Sequence, residues 1–171
     1  MSRKVKIATI FVLLILICGA DRLTKNWAVQ SLMDAPAIVY FNGLFQFTYA
    51  ENAGAFLGLG GELSREVRFV IFSLVVLVGL GAMLWYVIKK DISRWNVYAC
   101  AFIIAGGAGN LWDRLFRESG RVIDFMLIEI AGPLRTGVFN IADVFIVVGV
   151  LMALLAEYQF EKSKRAKSNP T

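Results

Sequence analysis

Four runs of apolar residues, too long and too continuous for a soluble core of this size, constrain the chain more than any other feature. They extend from Val5 to Ala20, from Val67 to Ile88, from Val97 to Gly109 with its flanks, and from Val138 to Tyr158. About 20 apolar residues cross a bilayer as a helix. The first and third runs reach that length only if their helices continue through Asp21 to Trp27 and through Asn110 to Trp112, so two spans carry polar groups at one end. With 58% hydrophobic and 18% charged side chains among 171 residues, the composition is that of a membrane protein. The expected fold is mainly α: a polytopic membrane protein, one domain over 1–171, with four transmembrane helices at about 5–27, 67–88, 95–112 and 138–158. An outer segment, 28–66, and a basic tail, 159–171, complete it.

Loops rich in Lys and Arg stay in the cytoplasm. Arg3, Lys4 and Lys6, then Lys89, Lys90 and Arg94, then Lys162, Lys164, Arg165 and Lys167 fall on one side of that frame. These ten cations face only Asp91, Glu157 and Glu161, whereas the other side sets eight cations against ten acids. Both termini are therefore expected to be cytoplasmic, and the basic pI reflects topology and anionic lipid headgroups. No basic-aromatic pattern points to nucleic acid. Arg3 to Lys6 before an apolar run, with Cys18-Gly19-Ala20 after it, has the outline of a cleavable signal peptide. Continuation of the helix through Asp21, Lys25 and Trp27 favours a retained span instead.

Several chemistries are excluded at once. The chain has no histidine and two cysteines, both within apolar runs, which removes His-based triads, HExxH zinc sites, thiolate metal sites and a disulfide framework. Gly106-Gly107-Ala108-Gly109 lacks the Lys-Ser/Thr ending and the preceding strand of a phosphate loop. Close helix packing accounts for these glycines and for Gly79 and Gly81. No metal or cofactor is expected.

The outer segment is richer in Gly, aromatic and polar residues. Ile38 to Phe41 and Leu44 to Tyr49 flank Asn42-Gly43, a strong hairpin signal. Phe45, Phe47 and Tyr49 alternate along the second strand, which predicts a small extracytoplasmic sheet at the membrane interface with one aromatic face. Asn52 and Gly54 follow, and the glycines from Gly54 to Gly61 suit a mobile lid.

Acids in a bilayer are costly, about 2.5 to 3.5 kcal/mol each on insertion scales, and mark functional sites by default. Asp143 opens the last apolar run in Phe139-Asn140-Ile141-Ala142-Asp143. Asp124 is enclosed by apolar neighbours in Val122-Ile123-Asp124-Phe125, and the topology puts both acids at the outer end of the membrane. Two adjacent carboxylates can share a proton, one serving as base toward water and the other as acid toward a carbonyl or leaving amine. Asn140, one helical turn before Asp143, can orient the pair. Asp21 and Lys25 share a helix face, as do Asn110 and Asp113, and Asp113 beside Arg114 reads as a structural pair. These residues leave three readings open: an aspartyl peptidase, a proton-coupled transporter, and a purely structural set of polar contacts.

Taken in order, Asp21 with Thr24-Lys25, Glu51-Asn52-Ala53-Gly54-Ala55-Phe56, Gly109-Asn110-Leu111-Trp112-Asp113-Arg114, Val122-Ile123-Asp124-Phe125 and Phe139-Asn140-Ile141-Ala142-Asp143 resemble bacterial lipoprotein signal peptidase, or signal peptidase II. Each string alone is weak, but five in order on a four-span frame are specific. One departure is visible, with Ala105 and Gly107 at positions where the family often has Gly and Ala. The resemblance implies an aspartic endopeptidase that removes signal peptides from prolipoproteins, cutting before a diacylglyceryl-modified cysteine. It implies Asp124 and Asp143 as the catalytic dyad, supported by Asp21, Lys25, Asn52, Gly54, Asn110, Asp113, Arg114 and Asn140. It also implies a multi-pass protein of the bacterial inner membrane, acting as a monomer among membrane lipids, with its site toward the outer face.

Overall fold

The computed structural model describes residues 1–54, 60–131 and 134–168, with the backbone alone described at Ala131 and beyond Lys164. Four helices form a bundle, with a small sheet capping one end. Helix α1 is Arg3–Leu32, α2 is Arg65–Lys89, α3 is Arg94–Phe116 and α4 is Ile141–Ser168. By length and apolarity α1, α2 and α4 can each cross a membrane. Helix α3 is polar at both ends, but its 23 residues give it about 35 Å at 1.5 Å per residue, and most of the bundle's buried small residues lie on it.

The boundaries differ from the sequence expectation mainly at the outer ends. Helix α1 runs on to Leu32, and α4 starts at Ile141, leaving Val138 to Asn140 outside it. The basic tail is no separate segment among the described residues, because α4 continues to Ser168. Residues Val70–Val75 of α2 form a π-helical turn that buries Ser73, an irregularity with no signature in the apolar run.

Strands β1 (Ile38–Tyr40), β2 (Phe45–Asn52), β3 (Val122–Ala131) and β4 (Leu134–Arg135) form an antiparallel sheet in that order. The hairpin predicted at Asn42-Gly43 is present, with Tyr40 opposite Phe45. Its loop is longer than the two residues expected: Phe41, Asn42 and Gly43 all have positive φ, and Phe41 and Leu44 belong to the turn. The aromatic face also forms. Trp27 of α1 stands edge-on to Phe47 and Phe125, with ring centroids at 5.2 and 6.1 Å, and Ala28, Leu32, Ile123 and Met126 close the cluster. This apolar contact seats the sheet on the end of α1.

The sheet is larger than the hairpin because β3, on the connection between the last two spans, pairs with β2. A β-bulge between Phe47 and Ala50 shifts the register, so that Ala50 faces Asp124 and Asn52 faces Val122. Phe139, just before α4, is tied to β3 as well: its carbonyl accepts from the backbone N–H groups of Phe125 and Met126, and its own N–H donates to Met126.

Helix α3 is the centre of the bundle and packs most extensively on α4. A Cβ at Gly106 would lie 2.4 Å from the Ala142 carbonyl, and one at Gly149 would lie 2.7 Å from the Ala99 carbonyl. Only glycine allows so close an approach. Gly79 and Gly81 are different. A Cβ there would meet nothing within 4 Å, so the packing role expected for them is not found, because both face away from the neighbouring helices.

Candidate active site

The two isolated acids arrive from different kinds of element. Asp124 lies on β3, 2% exposed, and Asp143 lies in the first turn of α4. Asn140 joins them. Its Nδ2 donates to Asp124 Oδ1 at 2.6 Å, while its backbone N–H donates to Asp143 Oδ2 at 3.1 Å. Asp143 N–H returns a bond to Asn140 Oδ1 at 3.0 Å. This reciprocal pair is a capping box: Asn140 is the N-cap of α4 and Asp143 the third helical residue. The spacing in Asn140-Ile141-Ala142-Asp143 thus begins the helix and fixes the carboxylate in one step.

Each acid has a further amide donor. Asn52, carried to the site by the pairing of β2 with β3, donates from Nδ2 to Asp124 Oδ2 at 3.1 Å. Its Oδ1 accepts from Gly54 N–H at 2.9 Å. Asn110 of α3 donates from Nδ2 to Asp143 Oδ1 at 2.7 Å. Asn110 Oδ1 accepts from Asn140 Nδ2 at 2.9 Å and from Lys25 Nζ at 3.0 Å, and Asn140 Nδ2 also lies 3.3 Å from the Ile123 carbonyl. Burial, followed by the neighbouring charge of Asp143, pushes the Asp124 carboxyl up to about 7, against the pull of the Asn52 and Asn140 amides.

Behind the amides lies an ionic layer. Lys25 Nζ is 2.8 Å from both Asp21 Oδ2 and Asp113 Oδ2, and all three side chains are fully buried. Asp21 Oδ1 accepts from Ala142 N–H at 3.2 Å, which satisfies another free donor at the start of α4. Asp113 also accepts from Arg22 and from the backbone N–H of Ile123. The pairing expected between Asp113 and Arg114 is not made: successive residues on a helix point apart. Arg114 donates instead to the Gly54 carbonyl and lies over the Phe72 ring, 5.5 Å from its centroid. Arg22 is the member of this layer that the sequence reading missed. It follows Asp21 directly and gave no separate signal.

Asp124, Asp143, Asn52, Asn110 and Arg114 all line one cavity of about 230 Å³, walled on the other side by Phe72 and Val76 of α2. Asp124 also borders a wider opening with Glu51, Glu62 and Arg121. The expected lid from Gly54 to Gly61 falls largely on residues 55–59, outside the described residues. Among the described residues no cluster of Asp, Glu or Cys could hold a metal ion.

The fold and site define a helical membrane protein with two carboxyl groups held together by amides over a closed ionic layer. The chain belongs to the signal peptidase II family, whose pattern, Signal peptidase (SPase) II, it matches over residues 13–159. It is 37% identical to the lipoprotein signal peptidase of Clostridium novyi across 81% of this chain and 91% of that one. The lipoprotein signal peptidase of Clostridioides difficile is 34% identical, with 90% and 97% covered. A solved bacterial membrane enzyme superposes with a TM-score of 0.79 at 24% identity over 92% of both chains, which supports the fold. A second solved bacterial membrane enzyme gives a TM-score of 0.74 at 25% identity over 88% of this chain and 92% of that one. The protein is therefore a bacterial membrane peptidase, and the transporter reading finds no support.

Proposed function

We propose that this signal peptidase, which acts on prolipoproteins as its family does, cuts by aspartyl chemistry at Asp124 and Asp143. The observation that carries this reading is that both carboxyl groups line one cavity and share the single bridging residue Asn140. With its carboxyl pushed up to about 7, Asp124 keeps its proton in a sizeable share of molecules at neutral pH, and in that form it hydrogen-bonds the scissile carbonyl. Asp143, held by Asn110 and the capping box, takes a proton from the attacking water. Asp124 then gives its proton to the leaving amine as the C–N bond breaks, and the proton held by Asp143 restores the pair.

The surroundings suit a lipid-modified substrate. An apolar cavity of about 230 Å³, lined by Ile128, Phe139, Val144 and Val148, reaches Asp143 from another side. It can take an acyl chain of a diacylglyceryl cysteine while the scissile bond lies between the acids. The charge asymmetry supports a topology with the termini in the cytoplasm, the site toward the outer face and α3 as the fourth span. Incubation of purified protein with a diacylglyceryl-modified prolipoprotein should give the mass loss of a cleaved signal peptide. Asp124→Asn and Asp143→Asn should each lower turnover on the order of 10³-fold or more while the protein still inserts. Near-normal turnover in either variant would remove that residue from the dyad.

A further inference from the structure

Helices α2 and α4 both pack on α3 and have next to no contact with each other. The result is a groove floored by α3 that starts at the acids and runs down the bundle. At its outer end are Asn110 and Asp143. At its inner end a second cavity, about 380 Å³, is lined by Asn96 of α3, Val150 and Glu157 of α4, and Tyr86 of α2. The two cavities lie on the same faces of the helices. On α3 the lining positions step from 96 to 100, 103, 107 and 110, and on α4 from 143 to 147, 150, 154 and 157, a succession of three- and four-residue steps that keeps to one stripe of a helix.

The inner end of this stripe has an unusual composition. Glu157 is one of only three acids on a side of the protein that carries ten cations, and it forms no ion pair among the described residues. Asn96 Oδ1 finds no hydrogen-bond donor there. A carboxylate, an unused amide oxygen and the ring of Tyr86 are three groups that each favour a cation. The distance also has meaning. From Asp143 to Glu157 is 14 residues of α4, or about 21 Å at 1.5 Å per residue. A signal peptide has a positively charged segment followed by roughly 7 to 15 apolar residues before its cleavage site, about 10 to 22 Å as a helix.

We infer that the groove between α2 and α4 seats the apolar helix of the signal peptide, and that Glu157, with Asn96 and Tyr86, binds a Lys or Arg of its positively charged segment. This rests on the peptidase reading above and adds to it a site that selects substrates by their cytoplasmic end. It predicts that the enzyme senses a charge about 21 Å from the bond it cuts.

The test uses full-length enzyme in vesicles and two diacylglyceryl-modified substrates, one with lysines in the positive segment and one with those lysines replaced by Gln. Glu157→Lys should raise KM for the lysine substrate roughly tenfold, leave kcat unchanged, and alter KM for the Gln substrate little. A third substrate with Glu in place of the lysines should regain KM with the Glu157→Lys enzyme. An equal effect on the lysine and Gln substrates, or no effect on either, overturns the inference. So does an effect that disappears in vesicles without phosphatidylethanolamine, which would assign Glu157 to a lipid amine. Binding of the uncleaved, fluorescently labelled substrates, read by anisotropy, separates the two readings. Charge-dependent binding without cleavage sinks the peptidase mechanism alone, whereas normal cleavage with charge-blind binding sinks this site alone.

Discussion

Replacing Lys25 by Met removes one ammonium while keeping most of its apolar stem, and it isolates what the buried ionic layer contributes. In the native protein Lys25 Nζ lies 2.8 Å from a carboxylate oxygen of Asp21 and 2.8 Å from one of Asp113, with no exposure on any of the three side chains. Without it Asp113 retains Arg22, but among the described residues Asp21 is left with the Ala142 N–H at 3.2 Å as its remaining side-chain hydrogen bond. Breaking a buried pair from one side leaves an uncompensated charge and costs about 3 to 5 kcal/mol. For a chain of this size each kcal/mol moves the melting temperature by roughly 2 to 4 °C, so Lys25→Met should melt about 6 to 20 °C lower. Thermal unfolding in detergent, followed by tryptophan fluorescence, reads this directly. The double variant Lys25→Met, Asp21→Asn should recover part of the loss, because it discharges the orphaned acid. A single variant that melts within about 2 °C of the native protein, or a double variant no better than the single, would show that the layer does not hold the fold in this way.

Two further outcomes follow from the site. Asp124 is raised from 3.8 to about 7, so it is protonated below that value and ionised above it. kcat/KM should therefore fall about tenfold per unit as pH rises past 7, and Asn52→Leu, which removes a donor to the ionised form, should move this limb to higher pH; movement to lower pH would contradict the assignment. Gly106→Leu must displace the Ala142 backbone, since even a Cβ would lie 2.4 Å from its carbonyl. Turnover should drop at least about tenfold as Asp143 shifts from Asp124, and unchanged turnover would mean that the contact between α3 and α4 does not set the spacing of the acids.

Much of this architecture could be read from the chain because its signals are local. Apolar runs mark the helices, and an acid inside such a run, as at Asp143, has no bland solvation to explain it. Asn140 is found from Asp143 by helical spacing, and Lys25 from Asp21 in the same way. Strand β3 was hidden for the opposite reason. Its partner lies 70 residues earlier, Asn52 against Val122, and nothing within Val122 to Ala131 states which edge it meets. Consequently the delivery of Asn52 to Asp124 by a sheet, and the bulge that sets the register, required the structure. Gly79 and Gly81 mislead in another way. Small residues in a span look alike in sequence whether they face a helix or the bilayer, and only the neighbours distinguish Gly106 from Gly79.

The Asn140 side chain has a consequence in simple counting. Its NH₂ group owns two hydrogens, yet three oxygens lie within reach: Asp124 Oδ1, the amide oxygen of Asn110 and the Ile123 carbonyl, at 2.6, 2.9 and 3.3 Å. One of the three must always go short or share. When Asp124 acquires a proton its demand for an Asn140 hydrogen lessens, and that hydrogen is released toward Asn110, whose own amide holds Asp143. A shortage of one hydrogen therefore lets each acid register the other's protonation through neutral side chains, a form of communication that a fully supplied network would lack.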